Sequence, residues 1–342
     1  SSLILHPSSL PMHAAILFNQ PTLPTDHPDY ASEAGVLESA EAVESALADA
    51  GHRVTRLGLP AARRAILAAV QNIKADVDVV VNLFEGLGGV GGGESQVTGV
   101  LELLGIAFTG SGSKCLSLVQ EKALTKWLLL GAGLPSPAFE LVRKDEPLPQ
   151  PRCEALLSHG QVIVKPAHED GSLGIGPESI VADSAALARQ VRQVQDRYGD
   201  VLVEQFIAGR EFNVGIVALP EPTALPLAEI EFIAGIAPIV SYDAKWTPAA
   251  PEYDGTAARC PADVAPELAA EINRVALAAF RITGCRHYAR VDLRVDAAGR
   301  PYILEVNANP DIGPTAGFAR QVRAAGMSHA QWIYRTVEEA AG

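Results

Sequence analysis

The sequence predicts an α/β N-terminal domain built on a doubly wound parallel sheet, followed by a pair of α+β lobes. Three observations carry this. Short apolar runs alternate with helix-period segments from residue 14 to residue 109. Beyond residue 160, strand patterns occur partly in hairpins and partly between helices. The chain has 342 residues, more than the ~250–300 at which one core stops growing, so two or three domains are expected.

Residues 14–18 read as the first strand, and 33–50 as a helix ended by Gly51. A strand at 53–57, a helix at 61–74 and a buried strand at 77–83 follow. After a glycine-rich loop at 86–93 come a helix at 94–104 and a strand at 106–109. In an open sheet of this kind, ligands bind outside the carboxyl ends of the strands. Gly110, Ser111 and Gly112 punctuate the chain before a helix at 114–131, and proline-rich segments at 134–137 and 147–151 mark a boundary. A strand at 162–165 runs into a glycine-rich loop at 166–176, then a helix at 184–198 and a strand at 201–205. The chain is strand-rich to 239, loop-like to 266 and helical to 282. A hairpin and a final helix at 330–340 complete it. The expected divisions are an extension at 1–12 and domains at 13–112, 113–205 and 206–342.

Hydrophobic content of 48% and a mean hydropathy of +0.15 suffice for buried cores. No apolar run reaches the ~18 residues needed to span a bilayer. Residues 1–11 lack the basic start of a signal peptide, so a cytoplasmic location is expected. A net charge of −13 without a basic stripe disfavours nucleic acid or an anionic membrane as partner. The four cysteines are scattered, without metal-ligand or redox spacing, and read as reduced packing residues.

The densest chemistry lies in the hairpin. Strand alternation puts Arg290 and Asp292 on one face, and Glu305 and Asn307 on one face of the next strand. Two carboxylates, an amide and a guanidinium then converge, and hard oxygen donors of this kind suit Mg²⁺ beside phosphates. Lys165 ends an apolar strand ahead of the glycine-rich loop, where an ammonium and flexible backbone N–H groups can close on phosphates. That loop matches neither a Walker A nor a Rossmann pattern. Glu204 and Glu211, seven residues apart, could bracket a nucleoside. Taken singly, the hairpin face could be solvated polarity, and the lysine and acids ordinary surface charges.

Their order decides the matter. Lys122, Lys165, Glu204, Glu211, Lys245, Arg290, Asp292, Glu305 and Asn307 occur in the sequence and rough spacing of ATP-grasp enzymes. Residues 14–340 resemble the D-alanine–D-alanine ligase family, most densely at 101–112, 162–174, 201–212, 242–245 and 289–307. The resemblance implies an ATP-grasp fold behind an N-terminal substrate domain, and an ATP-dependent, ADP-forming carboxylate–amine ligase. It implies that Lys122 and Lys165 contact ATP phosphates. Glu204, the backbone of Gln205, Phe206 and Ile207, and Glu211 would hold adenine and ribose. Lys245 would touch the γ-phosphate, and Asp292, Glu305 and Asn307 would bind two Mg²⁺ ions, replaceable by Mn²⁺. Arg290 would stabilise the tetrahedral oxyanion. Small-molecule substrates, and by analogy a homodimer, are expected.

The substrate end departs from the family. The acid expected to hold the first substrate's ammonium is matched poorly, by Asp29 or Glu33. Glu85 stands where the family has a histidine, and Ser172 is the remaining hydroxyl of a serine pair. Trp246 follows Lys245 where the family has tyrosine. Asp311, Ala316 and Gly317 stand near the second substrate's carboxylate site, where an acid would repel a carboxylate and favour an amine. Glu85 and Ser172 are candidate catalytic groups with Arg290 and Lys245. Different substrates from D-alanine are therefore expected. The alternatives are an authentic D-alanine–D-alanine ligase and a non-catalytic nucleotide-binding protein on the same fold.

Overall fold

The structure, a computed structural model, describes residues 11–342 other than 28, 29, 74, 88, 89 and 92. The extension at 1–10, and Asp29 among the candidate acids, lie outside the described residues.

The N-terminal part runs β1 (His13–Asn19), α1 (Tyr30–Asp49), β2 (Arg53–Leu59), α2 (Arg63–Gln71), β3 (Val79–Leu83), β4 (Gly86–Leu87), β5 (Val90–Gly91) and α3 (Glu94–Leu103). Strands β2, β1 and β3 form a parallel sheet in that order. Central β1 is buried along its whole length because helices cover both faces. Its period-two alternation sends Ala14, Ile16 and Phe18 toward α1, and Ala15 and Leu17 toward α2 and α3. The strand expected at 106–109 makes only one parallel bridge, Phe108 to Val80. Gly110, with φ of +87°, turns the chain away immediately afterwards.

Two helices follow, α4 (Ser113–Gln120) and α5 (Lys122–Gly131), where the sequence predicts one. The break falls at Glu121, whose φ of −85° and ψ of 82° are not helical. It is tolerated because the carbonyl of Leu118 accepts from both Glu121 N and Thr125 Oγ1.

The small lobe comprises β6 (Phe139–Val142), α6 (Gln150–Leu157), β7 (Val162–Pro166), β8 (Ile180–Val181), α7 (Ser184–Tyr198) and β9 (Val201–Gln205). Its antiparallel order is β6-β9-β7-β8. Helix α6 is unforeseen, since it starts inside a proline-rich segment; a proline in the first turn costs no helical hydrogen bond. Val162, Val164, Val201 and Val203 pack under α7, leaving Ile163, Lys165 and Glu204 on the opposite face.

The large lobe contains β10 (Arg210–Ala218), β11 (Pro222–Ala224), β12 (Ala228–Phe232), α8 (Tyr242–Trp246), α9 (Pro251–Asp254), β13 (Thr256–Arg259), α10 (Pro266–Thr283), β14 (Tyr288–Val295) and β15 (Pro301–Asn307). Helices α11 (Gly317–Ala324) and α12 (His329–Ala341) end the chain. The sheet order is β13-β12-β10-β14-β15, with β11 also paired to β10. The segment to 266 expected to be loop thus holds α8, α9 and β13, elements too short to show a clear periodicity. One sheet face builds a core with α10 from Phe212, Val214, Val291, Leu293 and Ile303. The alternate residues Glu211, Asn213, Arg290, Asp292, Arg294 and Glu305 line the opposite face.

Packing divides the chain differently from the boundaries at 112 and 205. Cys115 and Leu116 of α4 and Leu129 of α5 join the large-lobe core. Trp332, Ile333 and Val337 of α12 return to the core under β1 and β3.

Candidate active site

The two polar sheet faces enclose a cavity of about 710 Å³ between the lobes. Lys122, Lys165, Ser172, Glu204, Gln205, Phe206, Ile207, Glu211, Lys245, Arg290, Asp292 and Glu305 all line it. Asn307 and Glu85 are not among the lining residues.

At one end, Glu211 faces Arg294, with Nε 3.3 Å from Oε2. Burial, opposed by Arg294 and assisted by Asp292 and Glu305, pushes the Glu211 carboxyl up to about 7. The Arg294 guanidinium lies over the Phe206 ring at 4.6 Å. The amides of Gln205 and Phe206 are committed to the carbonyls of Ala138 and Gln161. An edge-on ligand here would therefore meet carbonyls and the Ile207 amide rather than three free N–H groups.

Behind this end lies a buried triad. Glu204 Oε2 sits 2.7 Å from Lys126 Nζ and 3.2 Å from Lys165 Nζ. Lys126 also donates to Ser136 Oγ at 3.2 Å, and Ser136 donates to the carbonyl of Ile303 on β15. Burial, helped by the Lys165 charge and opposed by Glu204, holds the Lys126 ammonium down to about 8.

In the middle, Arg290 donates bidentately to Asp292, at 2.8 and 2.9 Å. Asp292 also accepts from Asn213 Nδ2 at 2.7 Å and Asn307 Nδ2 at 3.0 Å. The pairing register sets Asp292 opposite Glu305 and Arg290 opposite Asn307, with a register shift after Asp292. Burial would raise the Glu305 carboxyl, but Lys122, Lys165, Lys245 and Arg290 bring it down to about 2. Burial disfavours the Lys122 ammonium, yet Asp170 and Glu305 hold its pKa above the usual lysine value. Burial and Arg290 lower that of Lys245. The donors of Asp292 and Glu305 are hard oxygens that fit Mg²⁺. Asn307 presents its amide nitrogen to Asp292, so its oxygen would have to turn to join them. No group of three or more His, Cys, Asp or Glu side chains is gathered for a metal among the described residues.

Two loops roof the cavity and are stitched together. Ser172 Oγ donates to the carbonyl of Val240 at 2.7 Å, Tyr242 N to that of Ile175 at 3.0 Å, and Trp246 Nε1 to that of Gly171 at 3.0 Å. Ser172 has φ of +64°, a conformation that favours glycine. Its hydroxyl thus ties one loop to the other, and Trp246 fastens the same two loops without being among the residues that line the cavity.

The substrate-end expectations change most. Glu33 is spent on its own loop, accepting from Thr22 N, Thr22 Oγ1 and Leu23 N within 2.9 Å. Asp311 accepts from Gly313 N at 2.8 Å and Ser39 Oγ at 3.3 Å, and it does not line the cavity. Its charge nonetheless bears on Glu85 and on Arg290, which lines the cavity. Glu85 is exposed yet stands in an acidic corner with Asp311 and Glu94; crowding by protein and the Asp311 charge push its carboxyl above the usual glutamate range.

Sequence reasoning missed Lys126, Asp170, Asn213, Arg294 and Arg320. Lys126 lies four residues after Lys122 on one helix, and Asn213 and Arg294 follow Glu211 and Asp292 at the strand period, so those signals were present. Asp170 pairs with Lys122 across the cavity. Arg320 belongs to α11, an unforeseen element. The cysteines are free, but folding brings Cys115 Sγ within 3.6 Å of Cys285 Sγ. No described helix is long and apolar enough to cross a membrane.

Residues 128–338 match the family described as D-ala D-ala ligase C-terminus. A D-alanine–D-alanine ligase of Sphingopyxis alaskensis is 32% identical over 316 residues, 89% of this chain and 92% of that protein. An uncharacterized protein of Sinorhizobium fredii, y4sG, is 34% identical over 260 residues, 75% of this chain and 72% of that one. The crystal structure of a Bacillus anthracis D-alanine–D-alanine ligase complexed with ATP superposes with a TM-score of 0.76, covering 96% of this chain and 97% of that one at 20% identity. With a cavity that gathers lysines and carboxylates between two such lobes, the chain belongs to the D-alanine–D-alanine ligase family of ATP-grasp enzymes, the ATP-dependent, ADP-forming ligases.

Proposed function

We propose that the protein joins a carboxylate to an amine through an acyl phosphate, on substrates other than a pair of D-alanines. The observation that carries the reaction is the clustering of Lys122, Lys165, Lys245 and Arg290 around Glu305 and Asp292 in one buried cavity. Four fixed cations held this close together suit a γ-phosphoryl group in transfer, where charge develops on oxygen.

Lys122 and Lys165 hold the ATP phosphates, and Lys245 reaches the γ-phosphate from the roof loop. The Gln205 carbonyl and the Ile207 amide read the adenine edge, Glu204 stands behind it, and Glu211 accepts from the ribose. A divalent ion held by Asp292 and Glu305, with the Asn307 oxygen turned toward it, would neutralise phosphate charge; two ions, Mg²⁺ or Mn²⁺, are the expected complement. The substrate carboxylate attacks the γ-phosphorus, ADP leaves, and the acyl phosphate remains. The amine then attacks the acyl carbon, Arg290 faces the tetrahedral oxyanion, and phosphate departs as the amide forms. The amine must lose a proton in this step, and Glu85, at the carboxyl end of β3, is the candidate acceptor. The joined roof loops keep water from the acyl phosphate. Ser172 serves this closure rather than the chemistry.

ADP release is measured with Mg·ATP and a panel of D- and L-amino acids, singly and in pairs. Release with a pair other than two D-alanines supports the reading. Release with D-alanine alone makes the protein a D-alanine–D-alanine ligase, and no release from any mixture refutes ligation of amino acids.

A further inference from the structure

Resting on the placement of the ribose at Glu211, we propose that Arg294 is a positioning residue that couples nucleotide binding to closure of the roof, one arm of its guanidinium on the ribose acid and the other on the roof. The strand period puts it two residues beyond Asp292 and four beyond Arg290, on the cavity face of β14. Its register partner on β10 is Glu211. Nε stands 3.3 Å from Glu211 Oε2, and Nη2 donates to the carbonyl of Pro238 at 2.6 Å. Pro238 lies two residues before Val240, whose carbonyl accepts the Ser172 bond that ties the two roof loops. One planar group thus touches the ribose acid and the roof at once.

The group is held rigidly enough to transmit a force. Arg294 is 3% exposed, and its guanidinium lies over two rings, Phe206 at 4.6 Å just after β9 and Phe232 at 5.7 Å at the end of β12. Stacking fixes the plane, so its two ends cannot shift independently. Nε is buried without a hydrogen bond, because its approach to Glu211 is an ion pair that lacks hydrogen-bond geometry. A buried donor left in this way costs free energy, which a small adjustment of Glu211 would recover. Burial favours the neutral form of Glu211; Arg294 opposes this most and Lys245 less, while Asp292 and Glu305 reinforce it. Ribose hydroxyls donating to the carboxylate favour its charged form, which strengthens its hold on Arg294 and, through Pro238, the order of the roof.

Isothermal titration gives the affinities of Mg·ATP and Mg·2′,3′-dideoxyATP for wild type, Arg294→Met and Arg294→Lys. Hydrogen exchange follows the amides of residues 239–246 with each nucleotide bound. Wild type is expected to prefer ATP by about tenfold, the effect of one hydrogen bond to a charged group, and ATP should slow roof exchange more than the dideoxy nucleotide does. Arg294→Met should bring the preference toward one and leave the roof exchanging equally with either nucleotide. Arg294→Lys keeps the charge without the fork, so part of the preference should return while the roof protection does not. Exchange across α10, on the opposite face of the sheet, reports whether each variant is folded; should the methionine variant not fold, the lysine variant decides alone. Survival of either the preference or the roof protection in Arg294→Met, or a lysine variant that matches wild type in both, overturns the proposal. A wild type that binds both nucleotides equally is a different result, and it overturns the placement of the ribose at Glu211 beneath the proposal.

Discussion

Lys126→Met removes a charge that never touches the cavity, and it should nevertheless weaken ATP binding. The methionine keeps most of the side-chain length, so the change isolates the ammonium. Glu204 loses its 2.7 Å partner and keeps only Lys165 at 3.2 Å. Breaking a buried ion pair outright costs about 3–5 kcal/mol. Because Lys165 remains, about 2 kcal/mol is expected, a fall of several degrees in apparent melting temperature. Lys165 is then drawn fully onto Glu204 and withdrawn from phosphate, so the ATP Kd should rise about tenfold, the equivalent of ~1.4 kcal/mol. A pH signature separates this from general damage. The folded Lys126 releases its proton near 8, against roughly 10.4 in an unfolded chain, so the unfolded state binds more protons between those values. Wild-type stability should therefore gain a contribution as pH rises from about 8 to 10.4, and the variant should lack it. Calorimetric melts at several pH values and isothermal titration with ATP measure both effects. A variant with wild-type melting, pH slope and ATP affinity would refute the argument that Lys126 positions Glu204 and Lys165.

Asp292→Asn removes both the charge that pairs with Arg290 and a candidate metal ligand, so ADP formation should fall by more than about 100-fold; undiminished turnover would sink the assignment. Ser172→Ala loses the bond to Val240 while keeping the left-handed backbone, costing about 1 kcal/mol, whereas Ser172→Gly relieves roughly what it loses. Near-wild-type stability and turnover in the glycine variant would support the fastening role, and equal loss of turnover in both variants would restore a chemical one. Glu211, with a folded pKa near 7, holds its proton more tightly than an unfolded glutamate, so its contribution to stability declines as pH rises from about 4.5 through 7. The ionised form accepts ribose hydroxyls better, so ATP affinity should rise between pH 6 and 8 in wild type and stay flat in Glu211→Gln. Titration calorimetry at the two pH values decides this.

The row formed by Arg290 and Asp292 was legible because a strand places every second residue on one face, and apolar Val291 and Leu293 mark the other. The same rule, carried two residues further, leads to Arg294 and Asn213. Lys165, Glu204 and Glu211 could be named from order and resemblance, yet their partners could not. Lys126 meets Glu204 only because α5 packs on the large lobe while β9 belongs to the small one. Glu33 and Asp311 looked available in the chain, since nothing local shows that Thr22 and Leu23 bond to the one and Ser39 to the other. The bond from Ser172 to Val240 could not be read from the chain, because the two residues lie 68 positions apart.

What the sequence by itself determined is therefore the layered α/β architecture and the cationic and acidic side chains of the phosphate region. The architecture and the hairpin row follow from local periodicity, and the remaining lysines and acids from their order and the family it resembles. Only the tertiary structure decided which of those groups are already paired, that α12 closes the N-terminal core, and that Arg320 of α11 reaches the carbonyl of Ala258 on β13. Such facts depend on contacts between segments tens to hundreds of residues apart, where side-chain geometry rather than local pattern decides which donor finds which acceptor.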